Sequence, residues 1–248
     1  MTRTIHSAPL PAAVSDRVQK QQITRVRDPY DALRFWSAFT HGLGAVLSVL
    51  SGAALIVLAA YHGAGALDLV SLAVYTASMT ALYLASCLYH CVNTSIRGRL
   101  FLRKLDHSMI YVLIAGTYTP VCLSVLGGAL GWSLFGVIWG LAVVGVIVTL
   151  CWLDAPRILT TMFYVGMGWI AVLVLQPLAA ALSASAFFWM IAGGVAYTVG
   201  GVMYALKWPL KHHARFGCHE VFHLFVLLGS ACFVLMMGAV CMLSLIHI

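Results

Sequence analysis

Cys218-His-Glu-Val-Phe-His-Leu-Phe-Val-Leu-Leu-Gly-Ser-Ala-Cys-Phe-Val-Leu-Met-Met-Gly-Ala-Val-Cys-Met-Leu-Ser-Leu245 is an apolar run interrupted, near its start, by two histidines and a glutamate. A helix needs about 20 consecutive apolar residues to cross a bilayer, and this run provides them. A helix that is hydrophobic all round belongs inside a membrane or a very large core. His219 and His223 are four residues apart, so they share one face of that helix, a spacing that suits a zinc ion.

The same reading extends to the rest of the chain. Of its 248 residues 62% are hydrophobic and only 8% charged, with a mean hydropathy of +0.97. Soluble domains carry about 25% charged residues, so a polytopic membrane protein is indicated. The apolar runs are Phe35–Ala60, Leu69–Val92, Leu105–Leu126, Trp132–Trp152, Ile158–Ala181, Phe187–Leu206 and Cys218–Leu245, each long enough to span. Residues 1–33 are polar and lack a signal-type apolar core, which reads as a cytoplasmic, partly disordered tail before a membrane domain at 34–248. The seven cysteines are scattered through apolar segments with no CxxC pair, so they read as small packing residues. Cys218 adjoins His219 but projects about 100° away around the helix. Trp132, Trp152, Trp189 and Trp208 stand at span ends, as interface anchors do.

The net charge of +7 comes from cations that flank the spans, so nucleic acid is not an expected partner. Arg3, Arg17, Lys20, Arg25, Arg27 and Arg34 precede the first span. Arg97, Arg99, Arg103 and Lys104 lie after the second, Arg157 after the fourth, and Lys207, Lys211 and Arg215 after the sixth. The other loops have none, so the positive-inside rule puts the N-terminus in the cytoplasm and the C-terminus outside. The fold expected is an all-α integral membrane protein, a seven-transmembrane helix bundle. The final Ser244-Leu-Ile-His-Ile248 matches the peptide that sequencing-adapter read-through produces, so His247 is given no functional weight.

This topology brings scattered polar residues to one depth. Ser86 and His90 fall in the last turns of the second span, Asp106 in the first turn of the third, and His219 and His223 at the start of the seventh. Catalytic zinc sites have three protein ligands and an open position. His90, His219 and His223 are the candidate metal ligands. Asp106 is the candidate acid–base group that orients a water and accepts its proton. Ser86, one turn before His90, is placed to contact water or a substrate carbonyl. The bland alternatives are interhelical hydrogen bonding for the histidines, a surface ion pair with Arg103 or a loop lysine for Asp106, and simple packing for Ser86. His41 either supports the site or packs, His107 is expected to face away from Asp106, and His212 and His213 read as solvated loop residues.

Ser86-Cys-Leu-Tyr-His90, Leu105-Asp106, Ile114-Ala-Gly-Thr-Tyr-Thr-Pro120 and His219-Glu-Val-Phe-His223 together resemble the hemolysin III family, within the progestin and adipoQ receptor (PAQR) group. The likeness runs from about Arg34 to Leu243. It implies a multi-pass protein of the bacterial inner membrane with a cytoplasm-facing Zn2+ site at Ser86, His90, Asp106, His219 and His223. It also implies kinship with lipid amide hydrolases such as alkaline ceramidases. His219–His223 fits the HExxH pattern of zinc proteases too, with Glu220 as general base. No suitable third ligand follows His223, so the protease reading is disfavoured, while a supporting or proton-relay role for Glu220 stays open. Two main functions are therefore carried forward, a zinc-dependent hydrolase of a membrane-lipid amide or ester serving membrane homeostasis, and a non-enzymatic, zinc-braced sensor or receptor for lipid. A hemolysin-type pore is the third, less consistent with polar residues gathered at one end. Substrate identity and oligomeric state are not legible in the chain.

Overall fold

The computed structural model describes residues 33–210 and 216–243. The tail cations before Leu33, the stretch containing Lys211, His212, His213 and Arg215, and the terminal 244–248 lie outside them. Among the described residues all regular structure is helical, and seven helices are long and apolar enough to cross a membrane. They are α1 Phe35–Tyr61, α2 Ala66–Cys91, α3 Ile96–Leu126, α4 Gly128–Cys151, α5 Arg157–Ala181, α6 Ala184–Leu206 and α7 Cys218–Leu243. The chain is a multi-pass membrane protein. Its outward faces explain why, since Leu50, Val57, Ile147 and Leu173 are all more than half exposed. In water such a surface would aggregate, whereas lipid tails are as apolar as these side chains.

α7 packs between α6 and α1, α1 lies on α2, and α3 packs on α2, α4 and α5. The first and last helices are thus neighbours. α2 and α3 are the most enclosed spans, and their buried faces carry Tyr75, Met79, Tyr83, Tyr89 and Tyr111. Connectivity sends the described Lys and Arg residues to one end of the bundle, where α1, α3, α5 and α7 begin.

α3 differs from the sequence expectation. It starts at Ile96, not Leu105, because Ser95 caps it by accepting a hydrogen bond from the Gly98 amide at 3.2 Å. The basic stretch Arg97–Lys104 is therefore helix, and Asp106 lies in its third turn, not its first. Hydropathy falls at those charges although the hydrogen-bond ladder does not. At the far end Pro120 lacks an amide donor and the helix continues only as a wider π-type turn, Val121–Leu126. Gly127 and Gly128, with φ of 59° and 53°, then reverse the chain in a left-handed conformation that favours glycine.

α5 is interrupted as well. An α-helical Arg157–Trp169 passes through a 3-10 segment, Ile170–Val174, to a second α-helical piece, Leu175–Ala181. In lipid, every freed backbone group needs a partner. The Tyr118 hydroxyl supplies it, donating to the Gly168 carbonyl at 2.6 Å and accepting from the Ala171 amide at 2.8 Å. All seven cysteines are free thiols. Trp132, Trp152 and Trp208 are exposed at helix ends as anchors should be, while Trp189 packs partly against the core.

Candidate metal centre

α2 brings His90 to the site on its last turn, where helical carbonyls lack intrahelical partners. Those carbonyls are capped from two sides. The Arg34 amide donates to the His90 carbonyl at 3.1 Å, and Arg99 Nη1 donates to the Tyr89 carbonyl and, at 3.2 Å, to that of Val92. The Arg99 guanidinium also lies 4.5 Å from the centre of the Tyr89 ring. A turn that would otherwise fray is fixed, and the His90 ring with it.

α7 contributes His219 and His223 from its first two turns. Between them Glu220 is fully buried, and its carboxylate has a complete set of donors. It accepts from Arg34 Nη1 at 2.8 and 3.0 Å, from Ser37 Oγ at 2.9 Å and from the Gly217 amide at 2.8 Å. Glu220 is thus a clamp between α7 and the start of α1, turned to Arg34 and Ser37. This is its principal role in the structure, and it leaves the HExxH reading without its base.

The three imidazoles of His90, His219 and His223 converge, all buried, with one candidate ligand atom from each within 4.8 Å of the others. His90 Nε2 and His219 Nε2 face one another at 3.0 Å. Two nitrogens on one tetrahedral zinc, each bonded at about 2.0–2.1 Å, would sit about 3.3 Å apart, so the observed spacing is close to that of two ligands to one ion. A neutral imidazole–imidazole hydrogen bond also fits that distance, but it accounts for neither the third ring nor the buried Nδ1 atoms of His219 and His223, which have no hydrogen-bond partner among the described residues. The His223 ring approaches the Ser37 backbone carbonyl without reaching strict hydrogen-bond geometry. Metal-binding histidines typically donate their second nitrogen to such a carbonyl. The donor set fits a divalent metal ion, and the cluster could hold one.

Of the other residues singled out in the sequence, Ser86 is buried one turn before His90. Asp106 is nearly buried but is not one of the three clustered ligand groups. Its Oδ2 lies 3.6 Å from His107 Nδ1, so His107 does not face away, and that nitrogen also meets the Arg103 carbonyl at 2.9 Å. Asp106 and Tyr204 both lie within electrostatic range of the Tyr164 hydroxyl, and Tyr204 packs edge-on against His219 at 5.7 Å. Arg103 forms an ion pair with Asp154 at 3.1 Å. Arg34 and Ser37 were missed as site residues. The one available signal was an arginine immediately before an apolar run whose third residue is serine.

Residues 34–234 match the family model described as Haemolysin-III related. The chain belongs to the haemolysin III family. It is 40% identical over 195 residues to the "Hemolysin-3 homolog" of Bacillus subtilis (strain 168), covering 79% of this chain and 88% of that protein. It is also 40% identical over 196 residues to "Hemolysin-3" of Bacillus cereus, covering 79% and 85%. No solved structure matches the chain. The match begins at Arg34, the residue that clamps Glu220 and caps His90, so the whole histidine cluster of this haemolysin III protein falls within the family region.

Proposed function

We propose that this protein is a zinc-dependent hydrolase of the bacterial inner membrane that cleaves an amide or ester bond of a membrane lipid. The observation that carries the reading is the convergence of three buried imidazoles from α2 and α7 at the basic end of the bundle. Three protein ligands are the usual complement of a catalytic zinc site, and a structural site would be expected to close with a fourth. With the basic loops in the cytoplasm, that end faces inward and the N-terminus is cytoplasmic. The domain carrying the activity is 34–248, with 1–33 as a cytoplasmic tail.

Bound zinc would supply Lewis acidity, polarising a carbonyl and bringing the pKa of a water to about 7. His90, His219 and His223 would hold the ion. Asp106 takes the proton from the attacking water and passes it to the leaving amine or alcohol. Ser86 donates its hydroxyl hydrogen to the substrate carbonyl. The exposed apolar faces of the helices support a lipid as the substrate class, since they put the protein among lipid chains.

The test is Asp106→Asn. Asparagine keeps size and hydrogen bonding but cannot accept the proton. The variant should retain metal and fold while turnover of a lipid-amide and lipid-ester panel, followed by mass spectrometry, drops by about 10²–10⁴-fold. Turnover at the wild-type rate would remove Asp106 from the mechanism. A second reading is a zinc-braced lipid sensor, which needs only the three clustered histidines. It is selected if the wild-type protein binds zinc, gains stability from it, and turns over no member of the panel.

A further inference from the structure

A fourth imidazole stands at the cluster. His41, on α1, lies face to face with His223, with ring centroids 3.6 Å apart and planes within 7° of parallel. Its other side meets the Tyr83 ring edge-on at 5.0 Å. It is buried; its ring approaches the His223 backbone carbonyl without reaching strict hydrogen-bond geometry, and no other hydrogen-bond partner meets its ring nitrogens among the described residues. Gly44, one turn further along α1, makes the approach possible. A Cβ there would come within 2.8 Å of both Leu227 Cδ2 and Tyr83 Cδ1, so only glycine lets α1 come this close to α2 and α7.

The stack determines what His41 can do. An imidazole binds a metal through a lone pair lying in the plane of its ring. Two rings stacked in parallel planes have no common ion in both planes, so with His223 as a ligand His41 is not one. The three clustered ligand groups accordingly omit it. Packing alone does not explain it either. A phenyl ring would fill the same slot, whereas histidine brings two polar atoms into an environment where an unbonded polar group is costly.

We infer that His41 is a positioning and binding residue of the metal centre: its ring face fixes the plane of His223, and a ring nitrogen hydrogen-bonds the oxygen of whatever molecule occupies the position the three ligands leave open. The ligand class is a carbonyl or hydroxyl compound. This rests on His90, His219 and His223 holding a metal, and it adds α1 to a site otherwise built from α2 and α7.

The experiment uses the full-length protein in detergent, loaded with Co2+, whose visible absorption reports ligand number. Metal affinity is measured by chelator competition. Acetohydroxamate, a small carbonyl-and-hydroxyl ligand, serves as the probe for the open position. His41→Phe keeps a flat ring and loses the nitrogens, and should hold Co2+ within about threefold of wild type with an unchanged spectrum. It should bind acetohydroxamate about tenfold more weakly, the loss expected for one hydrogen bond. His41→Leu removes the stack as well, and should weaken Co2+ about 10–100-fold, as losing a ligand-orienting partner does. A Co2+ spectrum that changes in His41→Phe would overturn the inference, because His41 would then be a ligand. Wild-type affinity for both Co2+ and acetohydroxamate in His41→Phe would also overturn it, leaving a packing residue. So would Co2+ affinity in His41→Leu equal to that in His41→Phe. If wild type itself binds no Co2+ or Zn2+, the metal reading falls and this inference with it. If wild type binds metal and only the His41 variants fail to differ, the metal reading stands alone.

Discussion

Replacing Arg34 with alanine strips the fully buried Glu220 carboxylate of its counter-ion. Breaking a buried ion pair by removing one partner costs about 3–5 kcal/mol, because a charge is left uncompensated. Here the Ser37 hydroxyl at 2.9 Å and the Gly217 amide at 2.8 Å remain on the carboxylate, so the lower end, about 3 kcal/mol, is expected. For a chain of this size that corresponds to a melting temperature lower by about 6–12 °C. The assay is thermal unfolding of purified protein in detergent, followed by tryptophan fluorescence. A double variant, Arg34→Ala with Glu220→Gln, removes the charge along with its partner and should recover more than half of the loss. Arg34 caps His90 through its backbone amide, which alanine retains, so the double variant should still bind metal. A double variant no more stable than Arg34→Ala would refute the buried charge as the cause. Loss of metal binding in a folded double variant would refute the separation of clamp from cluster.

Other outcomes can be checked in parallel. Purified protein should carry about one zinc per chain, and His219→Ala with His223→Ala should remove it, read by elemental analysis. Chelation of the wild type should lower its melting temperature, since a metal at 100 times its dissociation constant adds about 2.7 kcal/mol; an unchanged melting curve would separate metal from folding. Gly44→Ala should destabilise by about 1–3 kcal/mol through overpacking against Leu227 and Tyr83, and a neutral result would contradict the close approach of α1. An alkaline phosphatase fusion after Arg99 should be inactive and one at the C-terminus active, the reverse pattern inverting the proposed orientation.

The seven spans and the histidine cluster were legible because both depend on regularities that a linear chain displays. Span length is fixed by bilayer thickness, and connectivity alone sends the end of α2 and the start of α7 to one face of the membrane. That is enough to unite His90 with His219 and His223. Glu220 was ambiguous for the opposite reason. Its meaning is set by Arg34, 186 residues away, and a contact at that separation leaves no local mark. His41 could be placed at the right depth but not at its stacking distance, which depends on how closely Gly44 lets two helices approach. The start of α3 was misplaced by reading hydropathy as helix length, although Ser95, in plain view, was the cap that marked it. The break in α5 was marked only by Gln176-Pro177 just beyond it, where proline lacks an amide donor, while the Tyr118 hydroxyl that repairs it lies on another helix.

The clamp between the beginning of α1 and the beginning of α7 has a consequence for how the protein is made. Synthesis delivers α1 to the membrane well before α7. Until then Arg34 has no Glu220, the Glu220-facing hydroxyl of Ser37 has no acceptor there, and His90 waits without the other two imidazoles. The nascent chain therefore carries an unfinished seam along α1 until α7 has been inserted, and arrival of α7 closes it. A chain that stops short of α7 leaves that seam open, with the Arg34 guanidinium lacking its carboxylate partner from α7.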